Sequence, residues 1–544
     1  MKSSKILILL CCSLCWTCSD DFLEVIPRGV TVPISLSDFQ GLMNQGRPLN
    51  HAGMYNVTFG NDDFYITSDR FEARESAAII GVYRSYFWED QLYNIIDDYT
   101  DDPDWSYMYN NIYITNYVLS KIDDARLDGD SESDRANIKG QALMRRAYAY
   151  FMLANLYGKH YTPQGAATDL AVPLFTDVPD PIRLRGKLSR ATVAEVYAQV
   201  EADLTQAIEL LPDYPFLFPL KNYRPSKMSA YALKARVHLY KGEWPAALAA
   251  AEASYDLIQA NANVELRHIE DHYGDWSRWS RSTYFNPEAI WGIVNSGFPR
   301  DFEGSDLAQS VNNDGTTIIN TPGFRLSDEL VALIDLENDI RVGVTIRSPD
   351  PDDPGTIVVI PKGIYASSLG EGYELSLAAS TPQDIFPTML LSTLIGVGDA
   401  SELDHHGQSL GGLFTPIPFT VGNVLLMLAE AHTRVGNLSE AEHFLETLRI
   451  ERILNYTHTP SPDAQSLLEE IINERRIELM GTGLRWFDIK RLNVEGWDIS
   501  IRHPLTRLDG TEEVHELFPG SNRFVLQIPQ RIIIEFQPGL EQNE

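Results

Sequence analysis

The stretch GQSLG at 407–411, preceded by His405 and His406, has the G-x-S-x-G spacing of a serine-hydrolase nucleophile elbow. That motif presents its Ser hydroxyl on a sharp turn from a strand into a helix. The flanks here do not favour such a turn: DASELDHH lies upstream, and Pro416 and Pro418 in GLFTPIP downstream oppose a helix. A Gly-rich loop matching by chance is the stronger reading, and Ser409 as a nucleophile the weaker. His405 and His406 lack a third ligand at a spacing that would complete a metal site. SPDPDDPG at 348–355 offers carboxylate oxygens of the kind calcium takes, but an acidic solvated loop has the same composition. The densest charge lies in ERRIELMGTGLRWFDIKR (474–491), with Glu474, Glu478, Arg485, Asp488 and Arg491. Carboxylates four residues apart also make an ordinary helix face. These charges are expected to pair among themselves, with Trp486 and Phe487 buried. No catalytic residue and no metal ligand is therefore assigned.

Rings beside polar groups suggest binding instead. Sugars present apolar C–H faces and a rim of hydroxyls, so a sugar site needs flat exposed rings flanked by Asp, Asn or Arg. Each stacked ring contributes on the order of 0.5–1.5 kcal/mol beyond its burial. NDDFYITSDRFEAR (61–74) and YRSYFWED (83–90) supply Asp63, Tyr65, Arg70 and Trp88. DHYGDWSRWSRSTYFNPEAIW (271–291) supplies Trp276, Trp279 and Tyr284. For any one Trp the competing role is core or partner-interface packing. Trp291, inside EAIWGIV, is expected in the core.

Every cysteine of the chain, Cys11, Cys12, Cys15 and Cys18, lies in the first 18 of 544 residues. Lys2 and Lys5 precede an uncharged apolar run from Ile6 to about Trp16, and SDD follows Cys18. A basic flank, a short apolar core and an abrupt polar end is the pattern of an export signal. The run is shorter than the roughly 20 residues a spanning helix needs. A disulfide framework would scatter cysteines through the domain. The remaining reading is a lipoprotein signal over residues 1–17, with Cys18 lipidated. An ordinary signal peptide and Cys15 as acceptor are the alternatives. Trp16 and Thr17 are bulkier than the small pair usual before a lipidated Cys.

A formal net charge of −32 repels phosphate backbones, so nucleic acid is not an expected partner. The 56 Phe, Trp and Tyr residues exceed what a mainly helical core requires. Helical periodicity covers 105–123, 138–158 and 192–212. Two further blocks, 228–258 and 421–450, each run into a Gly, Gly242 or Gly436, and restart as a second helix about three residues later. Gly closes a helix by entering the left-handed region at little cost. Asn437 and Glu440 are expected to form a capping box. Ala246, Ala249, Ala250 and Ala441 suit close antiparallel helices, and the two blocks have the layout of tetratricopeptide hairpins. Residues 50–100, 260–325 and 345–415 are loop-rich, and long irregular segments of this kind commonly carry function.

Read in order, these blocks resemble the SusD/RagB family of outer-membrane nutrient-binding lipoproteins. The resemblance runs from CSDDFLEVIP through GQALMRRAYAYFMLANLYG, VPLF, RPSKMSAYALKARVHLYKGEW, NPEAIW and GNVLLMLAEAHTRVGN. It ends with ERRIELMGTGLRWFDIKRL and FVLQIPQRIIIEFQPGLEQN. Thr482 stands where that family commonly has an acidic residue, which puts one local ion pair in doubt. The resemblance implies a mainly α fold, with tetratricopeptide-like hairpins in a superhelical scaffold and loop-rich insertions on one side. It implies one domain over 18–544, with an N-terminal part to about 330 and a C-terminal part from about 331. An Asp-Arg loop followed by a Trp carries ligand contacts in glycan-binding relatives, which implies the seven ring and polar residues above as contacts. It further implies a lipid-anchored protein on the cell exterior, acting as a lid over a SusC-like TonB-dependent transporter. Oligosaccharides, or in some branches peptides, would be captured without chemistry or cofactor. A hydrolase using Ser409, or a plain repeat scaffold, would contradict it.

Overall fold

The computed structural model describes residues 32–45, 53–66, 84–93, 102–179, 184–214, 224–261, 289–291, 324–339 and 419–543 apart from isolated positions, together with short strands between 310 and 377. The chain begins with α1 (Leu36–Met43), started by a capping box in which Ser35 and Asp38 bond reciprocally. β1 (Phe64–Ile66) follows, then α2 (Pro103–Lys121), with Asp102 capping Trp105 N and Pro at its first position.

The central element is α3 (Glu132–Tyr157). Ser131 and Asp134 form its capping box, and it stops at Gly158. Every residue from Gly140 to Tyr157 is buried, so the helix is covered on all faces by its neighbours rather than on one stripe. It packs against α2 and against α4 (Val193–Leu210), which Thr192 and Glu195 cap. Gly140 lies where α3 meets the end of α4: a Cβ there would stand 2.9 Å from Leu211 Cγ.

Two hairpins stack beyond this core. α5 (Lys227–Lys241) ends at Gly242, whose φ of +73° is left-handed, and α6 (Trp244–Gln259) starts at once with Pro at its second position. β2 (Ala289–Trp291) pairs with β4 (Phe419–Thr420), and β3 (Phe324–Leu326) pairs with β1. α7 (Val421–Arg434) and α8 (Leu438–Ile450) form the second hairpin around Gly436 at φ +87°. α6 lies against α7, and Tyr255 of α6 meets Phe444 of α8 edge to face at 5.4 Å. The arrangement is the mainly α, tetratricopeptide-like one expected. Asn437 holds the N-cap position of α8, but its side chain makes no cap bond and instead lies 3.4 Å from His432 Nδ1. The expected capping box with Glu440 does not form. Ala247, Ala250 and Ala441 are buried in the hairpins, whereas Ala249 is exposed.

α9 (Ala464–Glu478) and α10 (Leu484–Val494) carry the dense charge, and β5 (Ile501–Thr506) pairs antiparallel with β6 (Glu512–Leu517). The charges are paired, but only Asp488 finds its partners within the stretch, whereas Glu474, Glu478 and Arg485 pair with residues outside it. Asp488 accepts from Arg475 Nε at 2.9 Å and Arg491 Nε at 2.8 Å, and Arg491 also holds Glu430. Arg452 takes Glu478, and Arg449 takes Glu474. Trp486, Phe487 and Trp291 are all core residues. Thr482, standing in the acidic position, bonds the carbonyl of Leu479 and accepts from Leu484 N, so a hydroxyl bridges the turn between α9 and α10.

Candidate functional site

Three stretches far apart in sequence meet at one place: the loop before β1, the segment 84–90, and β5 with the C-terminal turn at 522–524. Trp88 sits there with φ +52°, a left-handed conformation that costs a side-chain-bearing residue about 1–2 kcal/mol. Its surroundings hold it in place. Its indole Nε1–H donates to Gly60 O at 2.8 Å, and its ring stacks on His503 at 4.5 Å. Tyr86 also stacks on His503, at 3.9 Å and nearly parallel. Arg523 donates to the carbonyl of Trp88 and pairs with Asp90 at 2.9 Å.

Beside this stack lies a small, partly open recess whose water-accessible volume is about 30 Å³. Trp88, Trp486, Val57, Leu92, Val525 and Leu526 give it apolar surface. Glu89, Asp90, Asn522, Arg523 and Gln527 supply charged and amide groups. Trp486 is 1% exposed, its ring packs on Phe524 at 5.1 Å, and its indole Nε1–H has no hydrogen-bond partner. A buried unmet donor at the wall of an open recess is costly unless something polar reaches it.

The residues singled out from sequence fare differently. Asp63 corrects the expectation. It is 1% exposed and its carboxylate is bound by Arg476 Nε at 2.9 Å, so it serves as a structural anion and offers no open ligand contact. Its neighbour Asp62 faces Arg485 and Arg476. Burial would raise the Asp62 carboxyl, and the two guanidiniums outweigh it and hold the group well below the usual carboxylate range. Tyr65 lies half-buried on β1, opposite Arg325. Trp88 is not the exposed platform expected, being 7% exposed and committed to His503, yet it reaches the recess. Cys18, Arg70, Trp276, Trp279 and Tyr284 lie outside the described residues, as do Ser409, His405, His406 and the acidic run 348–355.

His503, Asn522, Arg523 and Gln527 were not foreseen as site residues. Nothing in their spacing marks them, because the partners that bring them together lie more than 400 positions away. Elsewhere, Glu201, His238 and Glu243 come within metal-ligand distance of one another, but Lys241 already fills the space between the carboxylates, at 2.5 Å from Glu201 and 2.8 Å from Glu243.

The fold and recess together define a helical-hairpin scaffold with a loop-built ring site. The family described as "Starch-binding associating with outer membrane" matches residues 21–239, and the one described as "SusD family" matches residues 417–544. The chain belongs to the SusD/RagB family. SusD-like protein P2 of Formosa agariphila is 26% identical over 518 residues, covering 91% of each chain. A SusD superfamily protein from Bacteroides thetaiotaomicron superposes with a TM-score of 0.63 at 21% identity, covering 94% of this chain and all of that one. A SusD-like carbohydrate binding protein from Bacteroides vulgatus superposes at 0.57 with 19% identity, covering 92% of this chain and 96% of that one.

Proposed function

We propose that the protein is a cell-surface outer-membrane lipoprotein that binds oligosaccharides without altering them. It delivers them, as a lid, to a SusC-like TonB-dependent transporter. In this reading residues 1–17 are removed, Cys18 carries the lipid, and 18–544 work as one domain with no cofactor. Membership of a family described as starch-binding and associated with the outer membrane supports the class of ligand and the location.

The observation that carries the reading is the recess in which the Trp88 and Trp486 rings meet Asp90, Asn522, Arg523 and Gln527. The amides and charged groups at the rim would take sugar hydroxyls, with the buried Trp88 and Trp486 forming the wall behind them. Arg70, Trp276, Trp279 and Tyr284 are proposed to add further contacts. The ion pairs of α9 and α10 speak for a structural role of the charges that might otherwise suggest catalysis. The test is a binding screen of the full chain against glycan and peptide panels, repeated with Asn522→Ala and Gln527→Ala. A glycan bound by the native chain should lose about tenfold or more in affinity in these variants, the equivalent of one to two hydrogen bonds, with the melting temperature unchanged. Peptide binding alone, or glycan binding indifferent to both substitutions, would overturn the assignment.

A further inference from the structure

A carbonyl oxygen can only accept a hydrogen bond. His503 places Nδ1 2.8 Å from Tyr86 O and Nε2 2.8 Å from Asn61 O. A neutral imidazole has a single N–H, so it would set a ring lone pair against one of these oxygens. The residue is fully buried, which leaves no solvent to relieve that contact. Two aromatic rings stack on the imidazole, Tyr86 at 3.9 Å and Trp88 at 4.5 Å. Aromatic faces are the negative ends of ring quadrupoles and attract a cation.

The charges around the ring have been set by other elements. Asp62, on the loop before β1, favours a proton on His503, while His515 on β6 opposes it. Asp62 is held at 2.8 Å from Arg485 and 3.3 Å from Arg476, so its charge is shared with them. Burial, the largest influence, draws the ring down, to about 4 on balance. A ring neutral on that ground would leave one nitrogen–oxygen contact of 2.8 Å with no hydrogen in it, and the geometry decides against that form.

We infer that His503 carries both ring protons at neutral pH and is a positioning residue of the recess, clamping Trp88 in its left-handed conformation against the ring stack. The clamp joins three chain segments through one side chain: Asn61 by its carbonyl, Tyr86 by carbonyl and ring, Trp88 by ring. The role at a ligand site rests on the proposed function above, whereas the double protonation stands without it.

The test uses the full chain with ¹⁵N-labelled histidine and no ligand. The His503 signals are identified by their loss in His503→Gln. If that variant does not fold, they are identified in the native chain by proton contacts with the Tyr86 and Trp88 rings. Two N–H groups on the ring at pH 7 are expected. Raising the pH until one is lost should speed solvent exchange of the Trp88 Nε1–H by about fivefold to tenfold, the equivalent of one hydrogen bond. A single N–H at pH 7 overturns the assignment of charge. Two N–H groups whose loss leaves Trp88 exchange unchanged overturn the positioning role. Neither result depends on whether a glycan binds, so failure here and failure of the proposed function are distinguishable.

Discussion

Arg476 and Asp63 stand 413 positions apart in the chain and meet in a buried ion pair, Nε to Oδ1 at 2.9 Å. Arg476 also donates to the backbone carbonyl of Asp62, and Ser327 reaches the same carbonyl at 2.6 Å. The loop before β1 is thereby fixed by α9, and the recess wall depends on that attachment.

Replacing Asp63 by Ala should cost about 1–3 kcal/mol, because Arg476 loses one of its two carboxylate partners and keeps only Asp62 at 3.3 Å. Denaturant unfolding of Asp63→Ala, Arg476→Leu and the double variant measures this. The double variant should cost clearly less than the two singles added together.

Gly422 stands in the first turn of α7, where an added Cβ would lie 2.3 Å from Glu478 Oε1. Glu478 is bound there by Arg452 Nη2 at 2.9 Å and Nε at 3.0 Å, so it has little freedom to retreat. Gly422→Ala should destabilise by about 1–3 kcal/mol, the usual cost of overpacking, as read by a lowered denaturation midpoint.

His160 should produce acid sensitivity. Burial, with help from the nearby Lys490 and Arg491 charges, draws its pKa down to about 3, from an ordinary value of 6.5. Between pH 6.5 and 3 the unfolded chain therefore takes up a proton that the folded chain refuses. Stability rises with pH across that window and is lost as pH falls through it, by up to about 1.4 kcal/mol per pH unit from this group. His160→Gln should flatten the pH dependence of unfolding free energy between pH 6.5 and 3. A slope identical to the native chain would count against this.

Asp488 should act in the same direction at lower pH. Burial raises its carboxyl, but Arg475 and Arg491 outweigh that and hold it below the ordinary value of 3.8. The folded chain thus keeps the charge where the unfolded chain has lost it. This contribution is present above pH 3.8 and disappears as the pH falls below it. Asp488→Asn should remove this acid-limb loss and lower stability at neutral pH by about 3–5 kcal/mol.

Much of the scaffold was legible in the sequence because its signals are local. Ser131 with Asp134, Thr192 with Glu195, and the glycines at 158, 242 and 436 bound their helices within a turn of themselves. Of the α9–α10 charges, Arg475 and Arg491 with Asp488 could be read as paired because they lie close in sequence, whereas Arg476 and Arg485 find Asp63 and Asp62 more than 400 positions away. The site was far less legible. Asp63 and Trp88 have the composition of an open ring site, and only Arg476 and His503, more than 400 positions away, turn both inward. Asn437 failed as a cap for a local reason, since its side chain turns towards His432.

The stack of Tyr86, His503 and Trp88 also bears on how the chain is made. Ribosomal synthesis delivers residues 53–90 early, but their clasp on β5 emerges only some four hundred residues later. Until then Asp62 and Asp63 have neither guanidinium, and the aromatic segment around Trp88 has no imidazole to close on. Such distant pairings are slow to find and leave apolar surface uncovered meanwhile. This region of the chain stays unclosed until its last hundred residues have been made.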